Sequence, residues 1–265
     1  MAIKILTGYS NPGGSTFAHI NLCNLFNEKG EDCTLYGPHD WHLDKCKSGR
    51  LNETKLSKDD ILIYHFLNIW NKRPPVKKLV LSLHEKELYK LKEKPIQIFD
   101  KIHYLNLKQF DWHGGYECGV DQMFICPNAH SEIEPSKALD EKVVGIIGNI
   151  DRNKQVHRSI QRAIVDGHTD IRIFGSINDV KYWVEECQHL LSDKVRHMGF
   201  VEDRQSIYDQ ITDVYHSSIS ENASLVVDEC NMAGVKMHGN EQTDIGQPLI
   251  SNNDVYDIWR KELGL

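Results

Sequence analysis

Short apolar runs alternate with helix-length amphipathic runs from the first residues of this chain, and that alternation restricts it to folds built on parallel sheets. Residues 3–7 (Ile-Lys-Ile-Leu-Thr) read as a strand, followed by a turn-rich loop from Gly8 to Gly14 with Asn11-Pro12-Gly13-Gly14 at its tip. Residues 15–29 read as a helix, with Phe17, Ile20, Leu22, Leu25 and Phe26 near helical spacing and Gly30 as its stop. Residues 32–36 are a second strand, completing the strand–helix–strand unit of a parallel sheet. Further short strands are predicted at 61–65, 79–83, 101–105 and 122–126.

A polar stretch rich in Glu, Ser and Pro opens at Pro127-Asn128, runs to about Glu141, and reads as an interdomain linker. Beyond it the alternation resumes, with strands predicted at 143–147, 171–174, 195–200, 214–217 and 235–238. Helices are predicted at 156–166, 180–191, 206–212 and 254–263, with one more ending at Gly234. The expected architecture is α/β, with two Rossmann-like parallel-sheet domains facing a cleft. The N-terminal domain spans 1–127, the linker 128–141 and the C-terminal domain 142–250, and a final helix in 251–265 returns toward the first domain. Open parallel sheets bind ligands beyond the carboxyl ends of their strands, so the loops that follow strands carry the candidate chemistry.

The 265 residues are 40% hydrophobic and 26% charged, as in a soluble globular protein with a sizeable core. The formal net charge of -7 disfavours a strongly basic nucleic-acid binder, although a local basic groove stays compatible with it. Seven cysteines, an odd count with no Cys-x-x-Cys pair, point to reduced thiols and a cytoplasmic location. No secretory signal and no apolar run of membrane-spanning length is visible, and peripheral membrane contact stays open.

The segment 220–235 concentrates the chemistry. Glu221 and Glu229 stand eight positions apart, the first before a predicted helix and the second inside it. Ser220 or Asn222 can cap that helix, and Gly234 can stop it. A helix start offers free N–H groups and a positive dipole end that suit a phosphate. A glutamate two turns in can accept hydrogen bonds from the hydroxyls of a ribose. The alternative is an ordinary amphipathic helix with solvated acids.

Several pieces occur in one order: Gly13-Gly14, strand ends at His65 and His84, Ile125-Cys126-Pro127-Asn128, then Gly145 to Lys154, Ile173-Phe174-Gly175, Gly199-Phe200-Val201, Asp213-Val214, Ser217, and Glu221-x7-Glu229 with Met232-Ala233-Gly234-Val235. This layout resembles the group 1 (family 4) retaining glycosyltransferases of the GT-B fold, specifically in the second half and generically in the first. The resemblance implies that Lys154 contacts the donor diphosphate and that Glu229 binds the ribose. It implies that Glu221 faces the transferred sugar as an electrostatic support, with the amides of Asn222, Ala223, Ser224 and Leu225 near the phosphates. Gly175, Phe200 and Val201 resemble the edge of the base pocket. The family's arginine just after the glycine is replaced here by Asn149, and Arg152 is the candidate to supply the missing charge.

In the first half, His84 resembles the family histidine that faces the donor sugar, and His65 follows the same logic at the preceding strand end. Gly13 and Gly14 would let backbone approach the donor phosphate or the acceptor. Glu221, Lys154 and His84 are therefore the expected catalytic group. Two Asp-Trp-His segments, at 40–42 and 111–113, read as loops or as an acceptor surface. A zinc site from His39, His42 and Cys46 lacks a complete four-ligand pattern.

The resemblance thus implies a metal-independent hexosyl- or pentosyltransferase that needs no cofactor. Its donor would be a UDP-sugar first, with GDP- or ADP-sugars as alternatives, and its acceptor a glycan or another hydroxyl. Rival readings are a nucleotide-sugar-binding protein with decayed activity, a nucleotide-sugar epimerase of the same fold, and a transferase acting on modified nucleic-acid bases.

Overall fold

A computed structural model of the chain describes residues 1–8, 13–38, 44–65, 72–84, 96–112, 120–137, 139–240 and 249–265. The chain divides into two compact units, Met1–His130 with Ile250–Leu265, and Ser131–Leu249.

The first unit holds strands β1 (Ile3–Thr7), β2 (Cys33–Gly37), β3 (Ser48–Arg50), β4 (Ile61–His65), β5 (Lys78–Ser82), β6 (Lys101–Tyr104) and β7 (Met123–Ile125), with helices α1 (Gly14–Glu28) and α2 (Leu107–Trp112). The strands form one sheet in the order β3-β2-β1-β4-β5-β6-β7, and every pair is parallel. The side-chain period of two separates the faces. Ile61 and Ile63 join Ile3, Ile5 and Val80 under α1, while Leu62 and Tyr64 join Leu6, Leu79 and Leu81 on the other face. Covered on both faces, β4 is buried along its whole length, as parallel strands between helices must be. Helix α1 buries Ile20, Leu22, Cys23, Leu25 and Phe26 against the first of those faces. It stops at Gly30, whose φ of +86° closes the last turn with a 3.0 Å bond from its N–H to the Asn27 carbonyl.

The C-terminal helix, Asn252–Leu263, completes this unit. Ser251 caps it through a reciprocal pair with Asp254. Val255, Trp259 and Leu263 enter the same core as α1. Trp259 is 1% exposed, and its ring stands 4.6 Å from His103, 5.0 Å from Phe124 and 6.2 Å from Phe26.

The second unit holds β8 (Val144–Ile147), α3 (Val156–Val165), β9 (Ile171–Phe174), α4 (Val180–Tyr182), β10 (Val195–Gly199), α5 (Arg204–Tyr208), β11 (Asp213–Tyr215), α6 (Leu225–Ala233) and β12 (Lys236–His238), so the C-terminal helix is α7. Its sheet runs β10-β9-β8-β11-β12, again all parallel. Ile146, Ile171 and Ile173 pack with α3 residues Val156 and Ile160, whereas Val214 packs with Cys230 and Ala233 of α6. In both sheets the strand order reverses once, between β1 and β4 and between β8 and β11, and a crevice opens beyond the strand ends at such points.

The structure differs from the sequence pattern in places. β3 had no counterpart because Ser48-Gly49-Arg50 is not apolar; it is a short edge strand. The helix expected at 180–191 breaks into α4, a π-helical turn at Trp183–Cys187 and a 3-10 turn at Gln188–Leu190. The polar stretch 128–141 carries packed residues: Ala129 is in the first unit's core and Ile133 in the second's, and Ser136 N–H donates to the Ala233 carbonyl at 2.9 Å.

Replacing Trp259 by alanine empties a fully enclosed aromatic site in the first unit. Urea unfolding followed by circular dichroism should show a loss of about 3–5 kcal/mol. A loss under about 1 kcal/mol would mean that α7 is not part of that core.

Candidate functional site

The loop after β8 and the loop after β11 meet at the second unit's switch point. Lys154 Nζ stands 2.5 Å from Glu221 Oε1, and His216 Nε2 stands 3.0 Å from the same oxygen. The Glu221 side chain is 9% exposed and that of Lys154 26%. Burial works to raise the Glu221 pKa, but the hydrogen bond from His216 and the charge of Lys154 overcome it and hold the carboxyl at about 2. The site is therefore an ionised carboxylate clamped between a lysine and a buried histidine.

Both loops are fixed locally. Lys154 N–H donates to Asp151 Oδ1 at 2.9 Å, and Asn153 Nδ2 donates to the Ser220 carbonyl at 3.2 Å. Ile219 N–H donates to the Asn153 carbonyl at 2.8 Å, so one loop is stitched to the other through backbone. Gln155 follows with φ 50° and ψ 45°, the only non-glycine residue with positive φ among the described residues. A left-handed residue costs about 1–2 kcal/mol, and such strain persists where the surroundings over-determine it.

Helix α6 begins later than the sequence suggested. Its N-cap is Ser224, not Ser220 or Asn222, and the Ser224 side chain makes no capping hydrogen bond. Asn222, Ala223, Ser224 and Leu225 carry the chain from Glu221 into its first turn. Gly234 ends it in the left-handed region with φ +70°, as expected.

Glu229 stands apart from this cluster. It is 4% exposed, its Oε1 accepts from Arg204 Nε at 3.1 Å, and its Oε2 accepts from Arg204 Nη2 and from the Tyr208 hydroxyl at 2.6 Å. A planar guanidinium fork and a phenol fill most of the acceptor positions of the carboxylate. Burial raises the Tyr208 pKa, and the Glu229 charge raises it further.

Arg152 faces α4. Its Nη2 stands 3.1 Å from Glu185 and its Nε 3.4 Å from Asp179, and it lies over the Tyr182 ring at 5.8 Å. It takes no part in the Lys154–Glu221 contact. Gly175 is required by packing, since a Cβ there would sit 1.8 Å from the Gly148 carbonyl oxygen. Its N–H donates to the Gly199 carbonyl at 2.8 Å and its carbonyl faces His197 Nε2 at 2.9 Å, which leaves little backbone for reading a base. Asn149 is half-buried beside Gly175, Phe200 is 37% exposed past β10, and Val201 packs on the core.

In the first unit, His65 ends β4 and His84 lies two residues past β5. They join two histidines that the sequence reading passed over, His19 on α1 and His103 in β6. The His19 ring stands 4.4 Å from His65 and 4.5 Å from His84, and His84 stands 6.0 Å from His103. Burial lowers the pKa of His19 and His84 well below the ordinary imidazole value, and neighbouring imidazoles lower it further. Burial pulls His103 down to about 4. Gly13 precedes α1 in extended conformation, and a Cβ at Gly14 would meet open space. His39, Trp41, His42 and His113 lie outside the described residues. Cys46 is half-buried beside the core, and among the described residues no group of three or more His, Cys, Asp or Glu is arranged to hold a metal ion.

No family model and no curated protein matches the chain. Solved structures do. WaaG, described as a glycosyltransferase involved in lipopolysaccharide biosynthesis, is 13% identical, with 99% of this chain and 90% of that chain covered at a TM-score of 0.65. Anabaena HepE in complex with UDP and glucose is 13% identical, with 92% and 81% covered at 0.71. TarM is 11% identical, with 100% and 92% covered at 0.66. The chain has the GT-B fold of these proteins. Its α/β class and two parallel sheets agree with the expectation from sequence. Among the described residues, no helix is long and apolar enough to cross a membrane.

His216 and Arg204 were not singled out in the sequence. His216 carries the signal that drew attention to His65, a histidine at a strand end. Arg204 carries none, because its partner lies 25 positions away on another helix.

Replacing Glu229 by alanine leaves Arg204 buried without its counter-charge and should destabilise the second unit by about 3–5 kcal/mol in chemical denaturation. Unchanged stability would mean that the pair is not formed in solution.

Acid should act first on the imidazoles. The depressed histidines bind fewer protons folded than unfolded, so stability is full above the unfolded value of about 6.5 and falls as pH drops toward the folded values. Each of His19, His84 and His103 adds a slope of up to about 1.4 kcal/mol per pH unit in that window. Glu221, lowered to about 2, loses its contribution only below the ordinary carboxylate range. A Tm flat between pH 7 and about 4.5 would contradict the neutral buried imidazoles.

Proposed function

We propose that the protein is a retaining glycosyltransferase that moves a hexosyl or pentosyl unit from a nucleotide-sugar to a hydroxyl of a glycan or another cellular acceptor. A UDP-sugar is the first donor to test, since HepE, with the same fold, is described in complex with UDP and glucose and with UDP-glucose. The observation that carries this reading is the Lys154–Glu221–His216 contact at the switch point of the second sheet.

Expulsion of a nucleoside diphosphate builds negative charge on phosphate and positive charge on the sugar. Lys154 supplies the cation for the first, and the start of α6, which follows Glu221 in the chain, offers backbone N–H groups. Glu221, kept ionised by its partners, supplies the anion for the second and accepts from sugar hydroxyls. It supports the charge and is not assigned as a covalent nucleophile. Charge neutralisation falls to Lys154, with Asn149 contributing an amide where the family has an arginine. Phe200 and Val201 flank the base in this reading. Glu229 would meet the ribose only by sharing acceptor positions now held by Arg204 and Tyr208.

That occupancy, together with Asn149, favours one second reading: a protein that binds nucleotide-sugars without transferring them. Incubation of the purified protein with UDP-glucose separates the two, because a transferase without acceptor slowly releases UDP and glucose, and a binding protein does not.

Lys154→Ala should weaken UDP binding by about 1.5–3 kcal/mol, the worth of hydrogen bonds to a charged group, and lower donor hydrolysis further. Arg152→Ala, whose side chain pairs with Asp179 and Glu185, should leave UDP affinity within about twofold. Calorimetric titration of both variants is the test, and wild-type affinity in Lys154→Ala would remove this loop from any phosphate role.

A further inference from the structure

Three cysteines of the first unit meet at one place, each from a different element: Cys23 on α1, Cys33 at the start of β2, and Cys46 just before β3. Strand pairing brings the last two together. Leu35 is the register partner of Ser48, and Leu35 N–H donates to the Lys47 carbonyl at 2.9 Å. Cys46, two positions before Ser48, therefore comes alongside Cys33, two positions before Leu35. It packs against the core that holds Cys23, Cys33 and Leu35. Helix α1 supplies the third thiol. Cys23 Sγ lies 3.6 Å from the Cys33 carbonyl and 3.6 Å from the Lys47 carbonyl, and Asn24 Nδ2 donates to the Lys45 carbonyl at 3.1 Å. The chain is thus tied to α1 on both sides of Cys46.

The Cys23 sulfur is the centre of the group. Hydrogen bonds from the Cys33 and Cys46 thiols lower its pKa against the opposing effect of burial, and Asn27 Nδ2 donates to it at 3.6 Å. Burial raises the thiols of Cys126, Cys187 and Cys230 instead. Cys23 and Cys33 are fully buried, whereas Cys46 is half-buried, so a small oxidant reaches the group through Cys46.

We propose that Cys46 is an oxidation site that Cys23 resolves, so that hydrogen peroxide converts the pair to a reversible Cys23–Cys46 disulfide. The proton between the two sulfurs passes from Cys46 to Cys23, which leaves the thiolate on the accessible residue. That thiolate attacks one peroxide oxygen, the O–O bond breaks, and the departing hydroxide takes a proton from solvent to become water. Cys46 is now a sulfenic acid. The Cys23 sulfur attacks the Cys46 sulfur, the S–O bond breaks, and the oxygen leaves with the Cys23 proton as a second water. Two electrons have passed from the sulfurs to the peroxide. The new bond fastens the loop before β3 to α1, and an added thiol reverses it by exchange.

The three cysteines fall in separate tryptic peptides, 5–29, 30–45 and 46–47. The reduced full chain is treated with a small excess of hydrogen peroxide, denatured, alkylated and digested without reductant. Mass spectrometry should show peptide 5–29 joined to 46–47, an intact chain lighter by two hydrogens, and full recovery of both thiols with dithiothreitol. Cys126, Cys187 and Cys230 should be alkylated as in the untreated chain. Cys46→Ala should abolish the product and leave Cys23 reduced. Cys23→Ala should leave the sulfenic acid on Cys46, where dimedone traps it. Should Cys23→Ala not fold, the wild-type map and Cys46→Ala decide, since Cys46 is only half-buried. Peptide 5–29 joined to 30–45, a bridge from Cys46 to any other cysteine, no disulfide at all, or a Cys23 still oxidised in Cys46→Ala would overturn the site.

Discussion

Parallel pairing of β8 with β11 is the constraint on which the second unit's chemistry depends. Because the two strands point the same way, the loops that leave them emerge at one edge of the sheet. Lys154 and Glu221, 67 positions apart, meet there only for that reason. Helices then leave toward opposite faces, and the backbone at the strand ends has no ladder partner to continue with. It is satisfied instead by cross-loop bonds such as Ile219 N–H to the Asn153 carbonyl, at 2.8 Å. The same bonds fix the loops that carry Lys154 and Glu221.

The two glutamates of the 221–229 segment show how environment separates one residue type into two roles. Glu221 is held by a flexible ammonium and an imidazole, both at one oxygen. A lysine is a compact charge on a mobile stem and can turn from a carboxylate to a phosphate at low cost. Glu229 is held at both oxygens by a guanidinium fork and a phenol. Breaking that set strands a buried charge, so it behaves as a fastening between α5 and α6. Equal spacing in sequence thus hides unequal freedom.

Much of the fold is legible in the sequence because burial on both faces writes itself as apolar runs. Ile61–His65 and Ile171–Phe174 were readable to the residue. Ser48–Arg50 was not, since an edge strand with exposed side chains leaves no apolar trace. The helix at 206–212 shifted to Arg204–Tyr208 because Asp203 accepts from Ser206 N–H and starts it early. Lys154 and Glu221 stood out through their place after strands. Arg204, His216 and His19 act through partners distant in the chain, and no local pattern encodes that. Arg152 pairs with Asp179 and Glu185, partners that its loop position in the sequence does not reveal.

The two switch points carry opposite electrostatics on the same topology. At β8/β11 the strand ends gather Lys154, Glu221 and His216, where charge is present and paired. At β1/β4 they gather Thr7, His65 and His19, and burial lowers the pKa of His19 and of the nearby His84. Two copies of one sheet topology thus differ in electrostatics because of which side chains end the strands, not because of the strands themselves.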